Sequence, residues 1–274
     1  MDDNFIGNKR RLRQELLPAL IAWQKQHRHP FTFYTEAWIN LADDEALTRD
    51  IVAAGFDSVF IGIETPDEAG LAECNKRQNR SRNLLADIKR LQRAGLEVQG
   101  GFIVCFDSDT LSIFHRQIEF IRNSGITTAM VGMLNALPGT RERLRGEGRL
   151  LGNSSGNNVD GTTSFVPKMD MTDLREGYRH LMEETIYAPG PYYRRVRTFL
   201  REFQPAKIPS RMDLRKLAAF MRAMVSLGMI GRERFQYWRL LVWTTCRRPF
   251  LLPVAVKLAI FGRHFRHCAH ALAR

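Results

Sequence analysis

Four polar side chains stand where apolar segments of this sequence end. Glu36, Glu64, Asp107 and Asn135 each close or follow a run rich in aromatic and aliphatic residues, a composition typical of strands. An acid in this place is often the N-cap of the next helix, and Asp109, just before TLSIF, is predicted to have that role. Glu36 and Glu64 fit it poorly, because a carboxylate inside an apolar run is costly unless it is paired or bound to a ligand. We therefore predict a binding role for these two glutamates.

Helix and strand patterns alternate along the first half of the chain. Three of the predicted helices stop at glycines that precede strands, Gly55, Gly95 and Gly125. Four strands, each followed by a helix, predict a parallel sheet, and the strands are apolar on both faces, as expected for strands covered by helices. Either a barrel or a doubly wound sheet fits, and both bind ligands at the carboxyl ends of their strands. The predicted strands are 31–37, 57–65, 97–106 and 127–137, and the predicted helices are 9–26, 43–54, 80–94 and 110–125.

Two further signals lie near these strands. Gly100 and Gly101 fall inside the third strand, where glycine often marks the close approach of a ligand or another backbone. Asp2, Asp3 and Asn4 resemble the loop that follows a strand, yet no strand precedes them in this sequence.

The charge of the chain is unevenly distributed. Of its net charge of +12, the whole excess lies in residues 190–274, which hold 18 Lys and Arg against 3 Asp and Glu. This excess indicates an acidic partner for that region. The four cysteines are widely spaced, which argues against a disulfide framework. The sequence opens without a basic and apolar leader, which favours a cytoplasmic location.

The last part of the chain is predicted to be helical. A polar, Gly- and Asn-rich loop at 152–165 separates it from the sheet. We predict three parts, which are 1–150, 151–205 and 206–274, with helices at 172–187, 191–203, 211–227, 231–246 and 250–267.

The basic C-terminal region allows three interpretations. Residues 232–267 mix arginine with Trp238, Trp243 and Phe250, as in a helix that lies on a membrane surface. Nucleic-acid binding is the competing interpretation of the charge, but the apolar content is high for a patch that only follows phosphates. Helices that pack on the sheet, with solvated arginines, are the third. No metal site is predicted at the chain end, although His264, His267 and Cys268 could share one helix face.

Five segments, in this order and spacing, resemble the barrel of a radical S-adenosylmethionine (SAM) enzyme. They are DDNFIGNKRR, FTFYTEA, SVFIGIET, GGFIVCFDSD and LNALPGT, and they are followed by NNVDGTTSFVP and IYAPGPYYRRV. Together they are similar to the cobalamin-dependent radical SAM methylases, in the branch of the hopanoid and bacteriochlorophyll methylases. The likeness covers about residues 1–205. It implies an α/β fold with a partial (β/α)6 TIM-like barrel of about four βα units, followed by an all-helical C-terminal domain.

The family likeness also implies parts that this sequence does not contain. A cobalamin domain precedes the barrel in that family, and a CxxxCxxC loop holds the [4Fe–4S] cluster that cleaves SAM. No CxxxCxxC occurs here. We therefore expect a C-terminal fragment, or one piece of a split protein whose N-terminal part is a separate chain, that is inactive alone.

The resemblance implies contacts to the methionine end of SAM for five residues. Asp2, Asp3 and Asn4 match the position that contacts this end of the cofactor. Glu36 and Glu64 match polar strand-end positions near the methionine and the ribose.

The adenine side of the cofactor is implied for two further segments. Cys105 stands where the family has glycine, so that its side chain narrows the predicted adenine pocket. It is interpreted as a small apolar substitution, with a redox or methyl-accepting thiol as the alternative. The segment after the last strand also looks shorter than the family pattern. The residues implied to surround adenine are Gly101, Ile103, Cys105, Leu134, Asn135, Pro138 and Gly139.

The predicted function follows from this likeness. The chain is expected to be part of a methyltransferase that acts on a hydrophobic small molecule, a polycyclic lipid such as a hopanoid or a tetrapyrrole. Its catalytic residues are not assigned. The alternatives are a non-catalytic, membrane-associated binding module or pseudoenzyme, and a basic helical domain that binds nucleic acid.

Overall fold

Four parallel strands form the centre of the molecule. The structure, a computed structural model, describes residues 4–152, 161–206 and 214–272; Asp2 and Asp3 lie outside these residues. The strands are β1 (Phe33–Glu36), β2 (Phe56–Glu64), β3 (Glu97–Val104) and β4 (Ala129–Met133), and they pair in chain order. The predicted α/β fold with parallel strands and a helical C-terminal region is confirmed.

Helices connect the strands and form most of the described chain after β4. Residues 9–26 are helical, as predicted, with one π turn at Leu12–Leu16. The short helix α4 was not predicted, and α5 begins later than predicted because Asn83 caps it. The helices are α1 (Lys9–Arg11), α2 (Leu17–Gln26), α3 (Glu45–Ala53), α4 (Glu68–Glu73), α5 (Leu84–Ala94), α6 (Ser112–Ser124), α7 (Pro138–Gly146), α8 (Met171–Met182), α9 (Pro189–Glu202), α10 (Leu214–Ala223), α11 (Arg234–Arg247) and α12 (Leu252–Leu272).

Only one face of the sheet is closely covered. Alternate residues of β2, such as Val59, Ile61 and Ile63, are fully buried, whereas Phe60 and Gly62 between them are partly exposed. Strand β3 alternates in the same way. The second face of the sheet is thus only partly covered by the described residues. Because helices on a single face are the arrangement of a TIM-like barrel wall, the sheet is consistent with a partial TIM-like unit rather than a doubly wound sheet.

Helix α9 packs at the amino-terminal end of β3 and β4. Gly125 ends the helix before β4 with a φ of +72°, and a Cβ there would lie 2.9 Å from the Phe199 nitrogen. The buried Arg195 donates to the Thr127 carbonyl, and Lys257 of α12 pairs with Glu97 at 3.1 Å. The C-terminal helices are thus fixed at the edge of the sheet opposite the carboxyl ends of the strands.

The C-terminal helices have a hydrophobic core of their own. Much of the apolar segment at 250–261 lies in this core, with Leu251, Ala255, Leu258 and Ala259 fully buried. Packing, rather than contact with a membrane, therefore accounts for much of the apolar content of that segment. Within the ranges that the structure describes, no helix is both long and apolar enough to cross a membrane.

Candidate functional site

Glu64 and Lys76 form an ion pair at the carboxyl end of β2. Their side chains are 16% and 23% exposed, and Lys76 Nζ lies 2.6 Å from Glu64 Oε1. The pair folds back over Gly62, where a Cβ would lie 2.5 Å from Glu64 Oε1 and 2.8 Å from Lys76 Nζ. Glycine at this position is therefore what leaves room for the two charged groups above the strand.

A second glycine lies beside Gly62 on the neighbouring strand. Gly101 of β3 pairs directly with Gly62 of β2. A Cβ at Gly101 would lie 2.8 Å from the Phe60 ring. Ile103, two residues along β3, is partly exposed on the same face. The Phe60 ring thus lies over Gly101 and the ion pair over Gly62, side by side on the open face of the sheet.

Glu36 lies at the end of the edge strand β1. Its side chain is exposed. The predicted binding role of Glu36 rested on the cost of burying a carboxylate, and an exposed carboxylate does not carry this cost. Glu36 is in register with Phe60 of β2 and therefore belongs to the open face. Its carbonyl accepts from Phe5 N at 2.8 Å, while Asn4 Oδ1 accepts from Trp38 N at 3.2 Å. These bonds hold Asn4 beside the end of β1.

Cys105 is a buried thiol just after β3. Its φ of +83° lies in the left-handed region that favours glycine, which agrees with its place at a glycine position of the resembled family. Burial raises the pKa of the thiol to about 12, and the nearby Asp109 adds to this effect, although a hydrogen bond with Thr163 opposes it. A neutral thiol is a poor nucleophile, so the structure favours the interpretation as a small apolar residue.

Asp109 does not cap the following helix, so that expectation was wrong. Helix α6 begins only at Ser112 and has no side-chain cap. Asp109 Oδ2 instead accepts from the backbone amides of Cys105 and Phe106, at 2.9 and 3.0 Å. Burial raises the pKa of Asp109 to about 6, against the lowering effect of these two hydrogen bonds. Its role is to hold the turn after β3.

Asp107 is engaged in ion pairs. Arg149 binds both of its carboxylate oxygens, at 2.8 and 2.5 Å. The hydrogen bonds from this guanidinium, with smaller effects from Lys168 and Arg143, lower the pKa of Asp107. The sequence marked Asp107 as a strand-end acid but gave no sign of Arg149, which lies far along the chain.

The segment at 161–166 lies against the carboxyl ends of β3 and β4. Thr163 donates to the Leu134 carbonyl at 2.8 Å, and Ser164 Oγ accepts from Ala136 N at 2.9 Å. Sequence reasoning quoted this segment within NNVDGTTSFVP but assigned no site residue there. Its run of hydroxyl side chains was the signal that could have identified Thr163 and Ser164.

The residues after β4 divide into two groups. Leu134 and Asn135 are partly buried, and the Asn135 amide nitrogen lies 3.4 Å from the Met133 and Thr162 carbonyls. Asn135 Oδ1 is buried and has no hydrogen-bond partner among the described residues. Pro138 and Gly139 lie exposed in the first turn of α7, and a Cβ on Gly139 would meet nothing within 4 Å.

The structure therefore brings together part of the predicted site. Glu36, Glu64, Gly101 and Ile103 share the open face of the sheet, and Asn4 is tied beside it. Cys105, Leu134 and Asn135 are grouped instead by the segment at 161–166.

No metal-binding group is formed by the residues that the structure covers. Cys74 is partly buried, Cys105 is buried and Cys246 is exposed. They lie after α4, after β3 and in α11, so no three thiolates converge. The described residues thus do not fit an iron–sulfur cluster, which needs several cysteine thiolates.

Comparisons with known proteins show that this chain is similar to methyltransferases. A family model described as a domain of unknown function, DUF4070, matches residues 141–274. An uncharacterised methyltransferase of Synechocystis sp. is 37% identical over 97% of this chain, which covers 50% of that protein. Hopanoid C-2 methylase of Rhodopseudomonas palustris is 36% identical over 55% of this chain and 29% of the methylase.

A relative that acts on a different kind of molecule shows weaker similarity. Bacteriochlorophyllide d C-8(2)-methyltransferase of Chlorobaculum tepidum is 25% identical over 51% of this chain and 30% of the enzyme. The chain spans about half the length, or less, of the curated relatives it matches. The resemblance seen in the sequence is thereby confirmed: this chain is related to the methyltransferases that include the hopanoid C-2 methylase and the bacteriochlorophyllide methyltransferases.

Proposed function

We propose that this chain forms the SAM-binding sheet and the C-terminal helices of a radical SAM methyltransferase. The proposed substrate is a hydrophobic small molecule, either a polycyclic lipid such as a hopanoid or a tetrapyrrole. The names of two relatives, a hopanoid methylase and a bacteriochlorophyllide methyltransferase, support this class. We place the protein in the cytoplasm.

The Glu64–Lys76 ion pair is the observation that carries this proposal. The methionine end of SAM bears an ammonium group and a carboxylate. Glu64 offers a carboxylate to the first and Lys76 an ammonium to the second, and both are partly desolvated beside Gly62. Charge-assisted hydrogen bonds of this kind are about twice as strong as neutral ones. Separation of the pair to receive the ligand exchanges one set of ionic contacts for another.

The rest of the cofactor is proposed to lie along the open face. In this proposal the Phe60 ring and the ion pair, which lie over Gly101 and Gly62, move aside to let a flat group approach the backbone of β2 and β3. Ile103 offers an apolar surface beside them. Glu36 and Asn4 lie at the β1 side of this face and are proposed to contact the polar end.

The cluster and the cobalamin of the resembled family are not assigned to residues of this chain. The described residues do not fit the cluster, so no reaction step is derived from it here. In this proposal, those groups are held by residues outside the sequence given, and the chain alone binds SAM without cleaving it.

Calorimetric titration of SAM into the purified chain tests the proposed site. We expect saturable binding to the wild type and a loss of affinity of about tenfold or more in Glu64→Gln and in Lys76→Met, since each removes one charged contact. Glu183→Gln is the matched control, because it breaks the exposed ion pair between Arg179 of α8 and Glu183, the residue that follows this helix. An affinity that is unchanged in both site variants would remove the ion pair from the site.

A further inference from the structure

An exposed apolar surface lies where α10 meets α11. After α10 the chain forms a π turn, Met224–Met229, and it reverses direction before α11. Several large apolar side chains in this region face solvent, and Ile230 and Phe235 are 75% and 73% exposed. We name this surface the apolar stripe; it consists of Val225, Met229, Ile230, Phe235, Trp238 and Val242.

The stripe is continuous across the two helical segments. On α11, Phe235, Trp238 and Val242 follow a spacing of three and then four residues, which places them on one helix face. The Trp238 indole nitrogen donates to the Gly228 carbonyl at 3.0 Å. Since this polar group is already bonded within the protein, the exposed remainder of the indole ring is apolar.

The charge beside the stripe is almost entirely positive. Arg222, Arg232 and Arg239 are exposed, and none has an ion-pair partner among the residues described here. The two described acids of this region are engaged elsewhere, Glu202 with Arg93 and Glu233 with Arg266.

Four arginines of α9 and α11 add to the positive charge near the stripe. Burial lowers the pKa of Arg197, and the neighbouring Arg239, Arg201 and Arg194 lower it further. Four guanidinium groups on α9 and α11 therefore repel one another and would be stabilised by anions. The surface thus combines exposed large apolar groups with uncompensated positive charge.

We propose that the apolar stripe and the arginines beside it form a docking surface for an anionic phospholipid bilayer. A bilayer accepts apolar side chains at the depth of its acyl chains and attracts arginine to its phosphates at the same time. The proposed surface lies at 222–242, and the buried part of α12 does not contribute to it. The proposal does not depend on SAM binding or on methyl transfer.

Vesicle sedimentation with the full chain tests this inference. The probes are phosphatidylcholine vesicles and matching vesicles that contain phosphatidylglycerol. We expect binding to the anionic vesicles only, weakening with added salt. Ile230→Ser/Phe235→Ser should bind at least tenfold more weakly, because serine at these two positions buries less apolar surface in the bilayer. Arg232→Gln/Arg239→Gln should lose about fivefold for each arginine.

Matched controls separate docking from a general loss of structure. Leu111→Ser/Leu151→Ser changes two apolar side chains of similar exposure, 60% and 61%, outside the stripe, and should bind vesicles like the wild type. Thermal unfolding should show that all variants remain folded. Equal binding of the stripe variant and the wild type overturns the proposal. So does a wild type that ignores anionic vesicles and forms a dimer in sedimentation velocity that Ile230→Ser/Phe235→Ser abolishes.

Discussion

Glu64 and Cys105 adopt the same unusual backbone conformation at the carboxyl ends of neighbouring strands, with φ of 65° and 83°. Left-handed backbone in residues other than glycine costs about 1–3 kcal/mol, and it persists only where the surroundings fix it. Here Lys76 holds the Glu64 side chain, and Asp109 holds the amide of Cys105. These contacts therefore fix the backbone bends in which the two strands end, beside the proposed SAM site.

A methyl group added at Gly62 should impair ligand binding more than folding. The new Cβ would lie 2.5 Å from Glu64 Oε1, and the flexible carboxylate must move away. We expect Gly62→Ala to weaken SAM binding by about tenfold, the loss of one charge-assisted hydrogen bond. Gly146→Ala is the control, because a Cβ there meets nothing within 4 Å. Calorimetric titration of SAM into both variants measures the difference. Equal affinities of the two variants for SAM would contradict the proposed position of the ligand.

Asp109 should stabilise the turn after β3 through its hydrogen bonds. Asp109→Ala leaves the buried amides of Cys105 and Phe106 without an acceptor and should lower the free energy of unfolding by about 2 kcal/mol. Asp109→Asn keeps an acceptor oxygen and should cost less. Urea denaturation at neutral pH measures both. If Asp109→Ala lowers the free energy of unfolding no more than Asp109→Asn does, the two hydrogen bonds contribute little to stability.

The same residue should give the stability a distinct pH dependence. Since the folded-state pKa of Asp109 is raised from 3.8 to about 6, the folded protein binds its proton more tightly than the unfolded chain does. This contribution is fully present below about pH 4 and is lost as the pH rises through about 6. Relative to Asp109→Asn, the wild type should therefore lose stability between these values, by at most about 3 kcal/mol. Urea titrations across this pH range give the free energy of unfolding of the two proteins. If it changes with pH in the same way in both, the raised pKa of Asp109 is refuted.

Cys105 should resist alkylation in the folded protein. Its thiol is buried, with a pKa of about 12, whereas Cys246 is exposed. At about pH 8 the reactive thiolate of Cys105 is therefore scarce as well as inaccessible. Mass spectrometry after brief iodoacetamide treatment should find the label on the Cys246 peptide, and on the Cys105 peptide only after denaturation. Equal labelling of both peptides in the folded chain would be inconsistent with the burial of Cys105.

The chain alone should bind SAM without cleaving it reductively. An iron–sulfur cluster needs several converging thiolates, and the described residues form no group of three or more side chains that could hold a metal. After incubation with iron, sulfide and dithionite, chromatography should detect no 5′-deoxyadenosine above the protein-free control. Its formation in stoichiometric amount or more would show that this chain holds a cluster.

Local sequence patterns predicted the strands and helices. Contacts between residues that are distant in the sequence determine the geometry of the candidate site. The four strands and the glycine stops at Gly55, Gly95 and Gly125 follow from short stretches of sequence, and each glycine has the positive φ expected of a helix end. The second face of the sheet could not be predicted, because apolar residues on both faces suit a covered sheet and a barrel interior equally well.

Contacts between distant residues account for what the sequence missed. Lys76 reaches Glu64 across twelve positions through a short helix that was not recognised. Thr163 and Arg149 approach the strand ends only through the fold. Glu36 was selected as a buried carboxylate, yet β1 is an edge strand and leaves it exposed.

The position of Gly125 has a consequence for the diversification of this group of proteins. Helix α9 approaches the sheet at this glycine, and eight residues of β3, about 26 Å of extended chain, separate that contact from the strand ends. Substitutions that alter ligand preference at one end therefore leave the junction with the helices undisturbed. The sheet can thus change its ligand-binding end while its contacts with α9 and α12 stay the same.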